Sequence, residues 1–220
     1  MKYPCVARFL SAGVSVAVMI VHIPPEPPQL APPGAGLPLL SRLAAQWFLL
    51  PAFYRKHSSA QAHQLFLSTG GKLADLAETL DCDHLGVRVL VPPLRGLEDS
   101  SRWWSAAMVL EHLMIVDALF ISAIVNLSRG TVPAGRVGTA EVKPAGARDA
   151  AAVPAAFREF LKEADRRLSD RVEPLRADVR YHHPWFGPLT AHQWMCIAAI
   201  HHGIHLQQLK AVVAGLNPGA

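Results

Sequence analysis

The chain lacks most of the features that assign a function quickly. Its 220 residues include only three cysteines, Cys5, Cys82 and Cys196. They are far apart, odd in number and form no CxxC pair, which argues against a disulfide framework and a cysteine-rich zinc site. That cysteine usage fits a reducing, cytoplasmic location. There is no GxSxG, no P-loop and no GxGxxG, and Ser, Cys and His form no recognisable nucleophile motif. Charge is sparse: 17% of residues are charged, and the net charge is +4 with neutral histidine. The most charged stretch, "REFLKEADRRLSDRVEPLRADVR", mixes both signs and reads as a solvated helix face. No dense basic stripe with interleaved aromatics exists, so nucleic acid is not an expected partner. No solenoid repeat is visible.

The N-terminal apolar run is short for a membrane span. It covers residues 9 to 23, fifteen residues behind Lys2 and Arg8. A membrane span needs about 20. The run resembles a secretory signal, but "PPEPPQLAPPGAG" follows at once without a clean small-x-small cleavage site. A membrane partner is therefore not expected; the alternative is a protein exported or tethered through residues 9–23. Residues 24 to 36 read as a semi-rigid Pro/Ala/Gly linker. The chain divides into an extension, 1–36, disordered or signal-like, and one domain, 37–217.

What is present is helical. "LPLLSRLAAQWFLL" predicts a short helix stopping near Pro51. A second helical pattern runs from about Ser59 to Leu80. Its Gly70 and Gly71 mark a kink or a close approach by another helix. "CDHLGVRVLVPPLRGLEDSS" is a connector in which "VRVLV" suits a short extended piece. The strongest helix follows Ser105, a plausible N-cap, and stops at Gly130. It is apolar almost all round, which predicts a central position. Residues 129 to 152 form a long Gly/Pro/Ala-rich loop, functional or mobile at that length. Pro154 opens an amphipathic helix with Phe157, Phe160, Leu161, Ala164 and Leu168 on one stripe. "HHPWFGPL" is a second connector. Thr190 and Gln193 form a capping box for the last helix, which ends near Ala214. Four substantial helices without a confident strand pair predict an all-α helix bundle.

The last helix carries "IHHGIHLQQL". His201 and His205 are four apart and share a face with Trp194, Ala198, Gln208 and Val212. His202 points about 100° away, toward solvent or a neighbouring loop. His112 in "VLEHLMIV" sits among residues that read as core, where an imidazole needs a partner or an ion. If the two helices are neighbours, His112, His201 and His205 converge. Three neutral nitrogens with an open position suit Zn²⁺, Ni²⁺ or Fe²⁺. Glu111 flanks His112 and either orients a ligand histidine or faces a neighbouring helix or water. Gln208 and Trp194 can shape the same pocket. The remaining histidines, His22, His57, His63, His84, His182, His183 and His192, fall in loops, ends or exposed faces and receive no role.

"WSAAMVLEHL", then "HPWFGPLTAHQW", then "HHGIHLQQL" together resemble the DinB-like superfamily of metalloenzymes. Their order and spacing carry the likeness, which is best from about Val87 to Val213. The resemblance implies an up-down-down-up four-helix bundle and a metal held by His112, His201 and His205. It also implies a homodimer acting on a small-molecule substrate. Known activities of such proteins include thiol-dependent S-transferases and a maleylpyruvate isomerase, which use low-molecular-weight thiols such as mycothiol, bacillithiol or glutathione. The expected function is a metal-dependent enzyme that activates a thiol or water nucleophile. The alternative is a non-catalytic scaffold or sensor of the same fold.

Overall fold

A computed structural model describes residues 27–135, 138–146, 149–173, 175 and 178–216. The basic start and the apolar run at 9–23 lie outside the described residues. The molecule is mostly helical with a few short strands, as an all-α class requires.

Helices α1 (Leu39–Ala44) and α2 (Leu50–Lys56) are joined by a π-helical turn, Ala45–Leu49, so helical structure continues past Pro51. Pro51 lies in the first turn of α2, where its missing N–H costs little. Helix α3 (Ser59–Ala77) opens with a capping box, in which Ser58 and Gln61 satisfy each other's backbone N–H groups. It runs unbroken through Gly70 and Gly71. A β-carbon on Gly70 would lie 2.7 Å from Leu161 Cδ2 and 3.2 Å from His202 Cε1. The first glycine therefore serves close helix packing rather than a kink. Among the described residues, nothing lies within 4 Å of the equivalent position on Gly71.

A short helix α4 (Cys82–Leu85) precedes β1 (Val89–Leu90), which pairs antiparallel with β2 (Trp103–Trp104). Helix α5 (Ala106–Ser128) begins where Ser105 accepts from the Met108 N–H at 3.2 Å. It ends before Gly130, whose φ of 81° is the left-handed conformation of a helix stop. Helix α6 (Val153–Ser169) has Pro154 in its first turn, as expected. "HHPWFGPL" folds as a β-hairpin: β3 (Tyr181–His183) pairs with β4 (Gly187–Leu189). Both strands are three residues long and one contains Pro188, so neither carries a readable alternation. Helix α7 (Ala191–Leu216) starts at the capping box of Thr190 and Gln193, with contacts of 2.9 and 3.3 Å.

The four long helices close a cycle: α3 packs on α7 and α6, and α5 packs on α7 and α6. Phe66, Leu73, Leu110, Leu113, Ile124, Phe157, Met195 and Leu209 fill its centre. Helix α5 is buried along most of its length, as its all-round apolar sequence predicts. The α5–α7 contact is the one that decides the site, because it sets His112 opposite His201 and His205.

Candidate metal centre

His112 Nε2 lies 3.3 Å from His201 Nε2, and His205 Nε2 lies 3.1 Å from the same atom. One ligating atom from each of the three lies within 4.8 Å of the others. Two nitrogens held about 2.0–2.1 Å from one tetrahedral metal would stand about 3.3–3.4 Å apart. Both short separations are close to that edge.

Counting protons shows why this arrangement suits a cation. A neutral imidazole has one N–H and one lone pair. His112 Nδ1 faces the Val142 carbonyl at 2.8 Å. A carbonyl only accepts, so Nδ1 carries the proton and Nε2 keeps the lone pair. The Gln208 amide donates through Nε2 to the Ser101 carbonyl at 2.7 Å, which turns its oxygen toward His205 Nδ1, also at 2.7 Å. His205 therefore donates from Nδ1, and its Nε2 is again a lone pair. His201 Nε2 faces both and can offer one proton to one of them. Whichever it chooses, at least one of the two lone pairs, on His112 or on His205, is left without that donor in a buried site, which is costly. Among the described residues, His201 Nδ1 is buried and has no hydrogen-bond partner.

Protonating the rings does not relieve this. Burial holds His112 down to about 4, with the nearby Lys143 ammonium adding to the effect. Burial, then the neighbouring imidazoles, hold His201 and His205 well below the ordinary histidine value. Three neutral nitrogen donors aimed at one point fit a borderline divalent cation.

Aromatic rings wall the cluster. Trp104 lies parallel to His205, with centroids 6.1 Å apart, and 5.0 Å from His112. Phe120 meets His201 edge-on at 5.5 Å. His112 and His205 are buried, while His201 keeps partial exposure. The loop after α5 covers one side. Besides the Val142 carbonyl it contributes Lys143, whose ammonium pairs with the buried Glu98 carboxylate and donates to Ser101 Oγ at 2.7 Å. Ser101 thus links the loop to Gln208 and, through it, to His205.

The other residues singled out from sequence have different fates. Gln208 does hold His205, and it is wholly buried. Glu111 is buried next to His112 but accepts from the Gly146 N–H at 3.2 Å, so it secures the loop that supplies Val142. The proton of His112 Nδ1 goes to Val142, not to Glu111. Trp194 packs against Phe120, with centroids 5.4 Å apart, and donates to the Tyr181 carbonyl, so it reaches His201 through Phe120. His202 corrects the expectation of a solvent- or loop-facing ring. It is 0% exposed, with Nδ1 on the Phe66 carbonyl at 3.0 Å and Nε2 on Asp117 Oδ2 at 2.7 Å. The 100° rotation is right, but that face of α7 meets α3 and α5. His183 and His63, given no role, are buried as well. Asp117 had a readable signal: an acid in a mostly apolar helix that reads as central in the fold requires a partner. Val142, Lys143, Ser101 and Trp104 had none, because their placement depends on loop closure.

Comparison with protein-family models, with curated proteins and with solved structures gives no match for this chain.

Proposed function

We propose that this chain is a DinB-like metalloprotein that holds a divalent ion on His112, His201 and His205 and uses it to activate a thiol or water nucleophile. The observation that carries the reading is the convergence of three imidazole Nε2 atoms, two of them fixed as lone pairs by Nδ1–H bonds to Val142 and Gln208. The motif order supports the family and the up-down-down-up bundle. The closed cycle of α3, α7, α5 and α6 is compatible with both.

A bound Zn²⁺, Ni²⁺ or Fe²⁺ supplies Lewis acidity that brings the pKa of a thiol or water toward neutrality. The chain's own residues do the rest. Val142 and Gln208 keep the protons of His112 and His205 on Nδ1, leaving Nε2 free to bind. Trp104 and Phe120 keep bulk water away and strengthen electrostatics within the site. The partial exposure of His201 is compatible with a small-molecule substrate that approaches from its side. A low-molecular-weight thiol is the first choice of nucleophile and hydrolysis the second. The resemblance further suggests a homodimer, and the sparse cysteines of the sequence a cytoplasmic location. The second reading is a non-catalytic metal sensor or scaffold, and the enclosure of His112 and His205 favours it.

The test is elemental analysis of protein purified without a histidine tag, alongside His112→Ala, His201→Ala and His205→Ala. Near-stoichiometric metal in the parent, lost in each folded variant, is expected. A parent that stays metal-free after reloading with Zn²⁺ or Ni²⁺ overturns the proposal. A loaded parent that neither binds thiols nor turns over hydrolytic substrates leaves the sensor reading in its place.

A further inference from the structure

The second unusual region lies away from the histidines. Leu39, Leu40, Leu43, Trp47, Phe48 and Leu49 are all exposed, at 59, 80, 39, 66, 74 and 53%. They occupy a continuous helical run, Leu39 to Lys56, built from α1, the π-turn and α2. Scattered exposed leucines are ordinary, but a contiguous apolar face with Trp and Phe at its centre is not. Leu39, Leu40, Leu43 and Trp47 fall on one stripe by helical spacing. The π-turn widens the helix at Ala45–Leu49, where Trp47, Phe48 and Leu49 all come to the surface.

The segment is held at both ends. Ahead of it, Ala31 N–H donates to Asp99 Oδ2 at 2.7 Å and Gly36 N–H to Glu98 Oε1 at 3.1 Å. Behind it, Leu50 is buried, and Phe53 and Tyr54 pack against the core. The protein thus presents the apolar face on a fixed mount.

Charge identifies the occupant. From residue 27 to residue 74 the sequence has no Asp or Glu, whereas Arg42, Arg55, Lys56 and Lys72 are all basic. Arg55 and Lys56 are exposed and Arg42 partly so. A helix with Trp, Phe and Leu outward, basic flanks and no acid has the chemistry of one lying in the headgroup region of an anionic bilayer. Upstream, the apolar run at 9–23 behind Lys2 and Arg8 is also free of acid, with Glu26 the one acid between it and this face.

We infer that the Leu39–Leu49 face docks on an anionic lipid surface, lying in the interface without crossing it. This departs from the sequence expectation of no membrane partner and does not depend on the metal reading. Each basic residue at such a surface strengthens binding about fivefold, an effect that salt weakens.

The test is co-sedimentation of the full-length protein with phosphatidylcholine vesicles, with and without phosphatidylglycerol. Binding is expected only with the anionic lipid and should fall as salt rises. Trp47→Glu combined with Phe48→Glu should weaken it by about a hundredfold or more, because two aromatic burials are lost. Both positions are exposed, so the fold should survive, which circular dichroism checks. Trp47→Phe should still bind but lose the fluorescence component quenched by brominated lipid. Failure to bind anionic vesicles overturns the inference. Equal binding by the double variant, or unchanged quenching in Trp47→Phe, assigns any membrane contact to another segment and overturns it too. A lipid-free parent dimer that becomes monomeric in the double variant gives the face to a second copy, and the lipid inference falls with it.

Discussion

Replacing Gln208 by leucine tests whether the histidine cluster is oriented for an ion or merely packed. Gln208 is 0% exposed and spends both ends of its amide, one on His205 and one on Ser101. Leucine fills nearly the same volume, so little cavity cost arises. It leaves His205 Nδ1–H and the Ser101 carbonyl unpaired, at about 1–3 kcal/mol each. The metal-free variant should therefore lose about 2–6 kcal/mol of stability. Removing the group that fixes a ligand histidine typically weakens metal binding about 10–100-fold, or about 1.4–2.7 kcal/mol. Gln208→Glu separates the two effects. Its carboxylate still accepts from His205 Nδ1 but turns an acceptor on the Ser101 carbonyl, so stability should fall while affinity stays at the parental level or tightens. Zinc affinity is read by competition with a chromogenic chelator, and stability by urea unfolding of stripped protein. A parental zinc affinity in folded Gln208→Leu would refute the orientation argument. Equal weakening in the leucine and glutamate variants would refute it as well.

Three further predictions rest on other parts of the fold. Stripped protein should lose stability as pH falls from 6.5 toward 4, because the unfolded chain protonates His112 near 6.5 and the folded chain only near 4. With more protons on the unfolded state, stability rises with pH; the lowered His112 value alone accounts for about 3 kcal/mol, fully lost below about pH 4. A urea midpoint flat across that range would contradict this. Gly70→Ala should destabilise by about 1–3 kcal/mol through the clash with Leu161 and His202. Gly71→Ala, with nothing nearby, should stabilise by about 0.5–1 kcal/mol; thermal melts that ranked the two alike would sink the close-packing account. Asp117→Ala should cost about 3–5 kcal/mol by stranding His202. Pairing Asp117→Leu with His202→Phe should recover most of that loss in urea unfolding, and failure to do so would show that the pair does more than satisfy itself.

The legible and illegible parts of the chain differ in how local their physics is. Caps at Ser105 and Thr190 and the stop at Gly130 are set by neighbours within a few residues, and all three stand where the sequence places them. The convergence of His112 with His201 and His205 was legible because helical spacing fixes two of the three and burial leaves the third in need of a partner. His202 was misjudged for a reason of the opposite kind. Spacing gives its direction about the α7 axis, but only the packing of α3 and α5 says what lies there. For Glu111 the sequence shows only that His112 is its neighbour; its contact with the Gly146 N–H comes from a loop that spacing does not place. The Val142 contact, 30 residues from His112 through a segment without periodicity, left no pattern to read.

That contact also bears on kinetics. One of the three histidines keeps its proton where it belongs only while the loop lies shut, and the loop is fastened by Lys143 on Glu98 and by Gly146 on Glu111. For an ion held on these histidines, residence time would be set by local opening of this loop, a smaller event than unfolding of the helices beneath it. Exchange of one metal for another should proceed in fully folded protein, at a rate that loosening the Lys143 clasp accelerates.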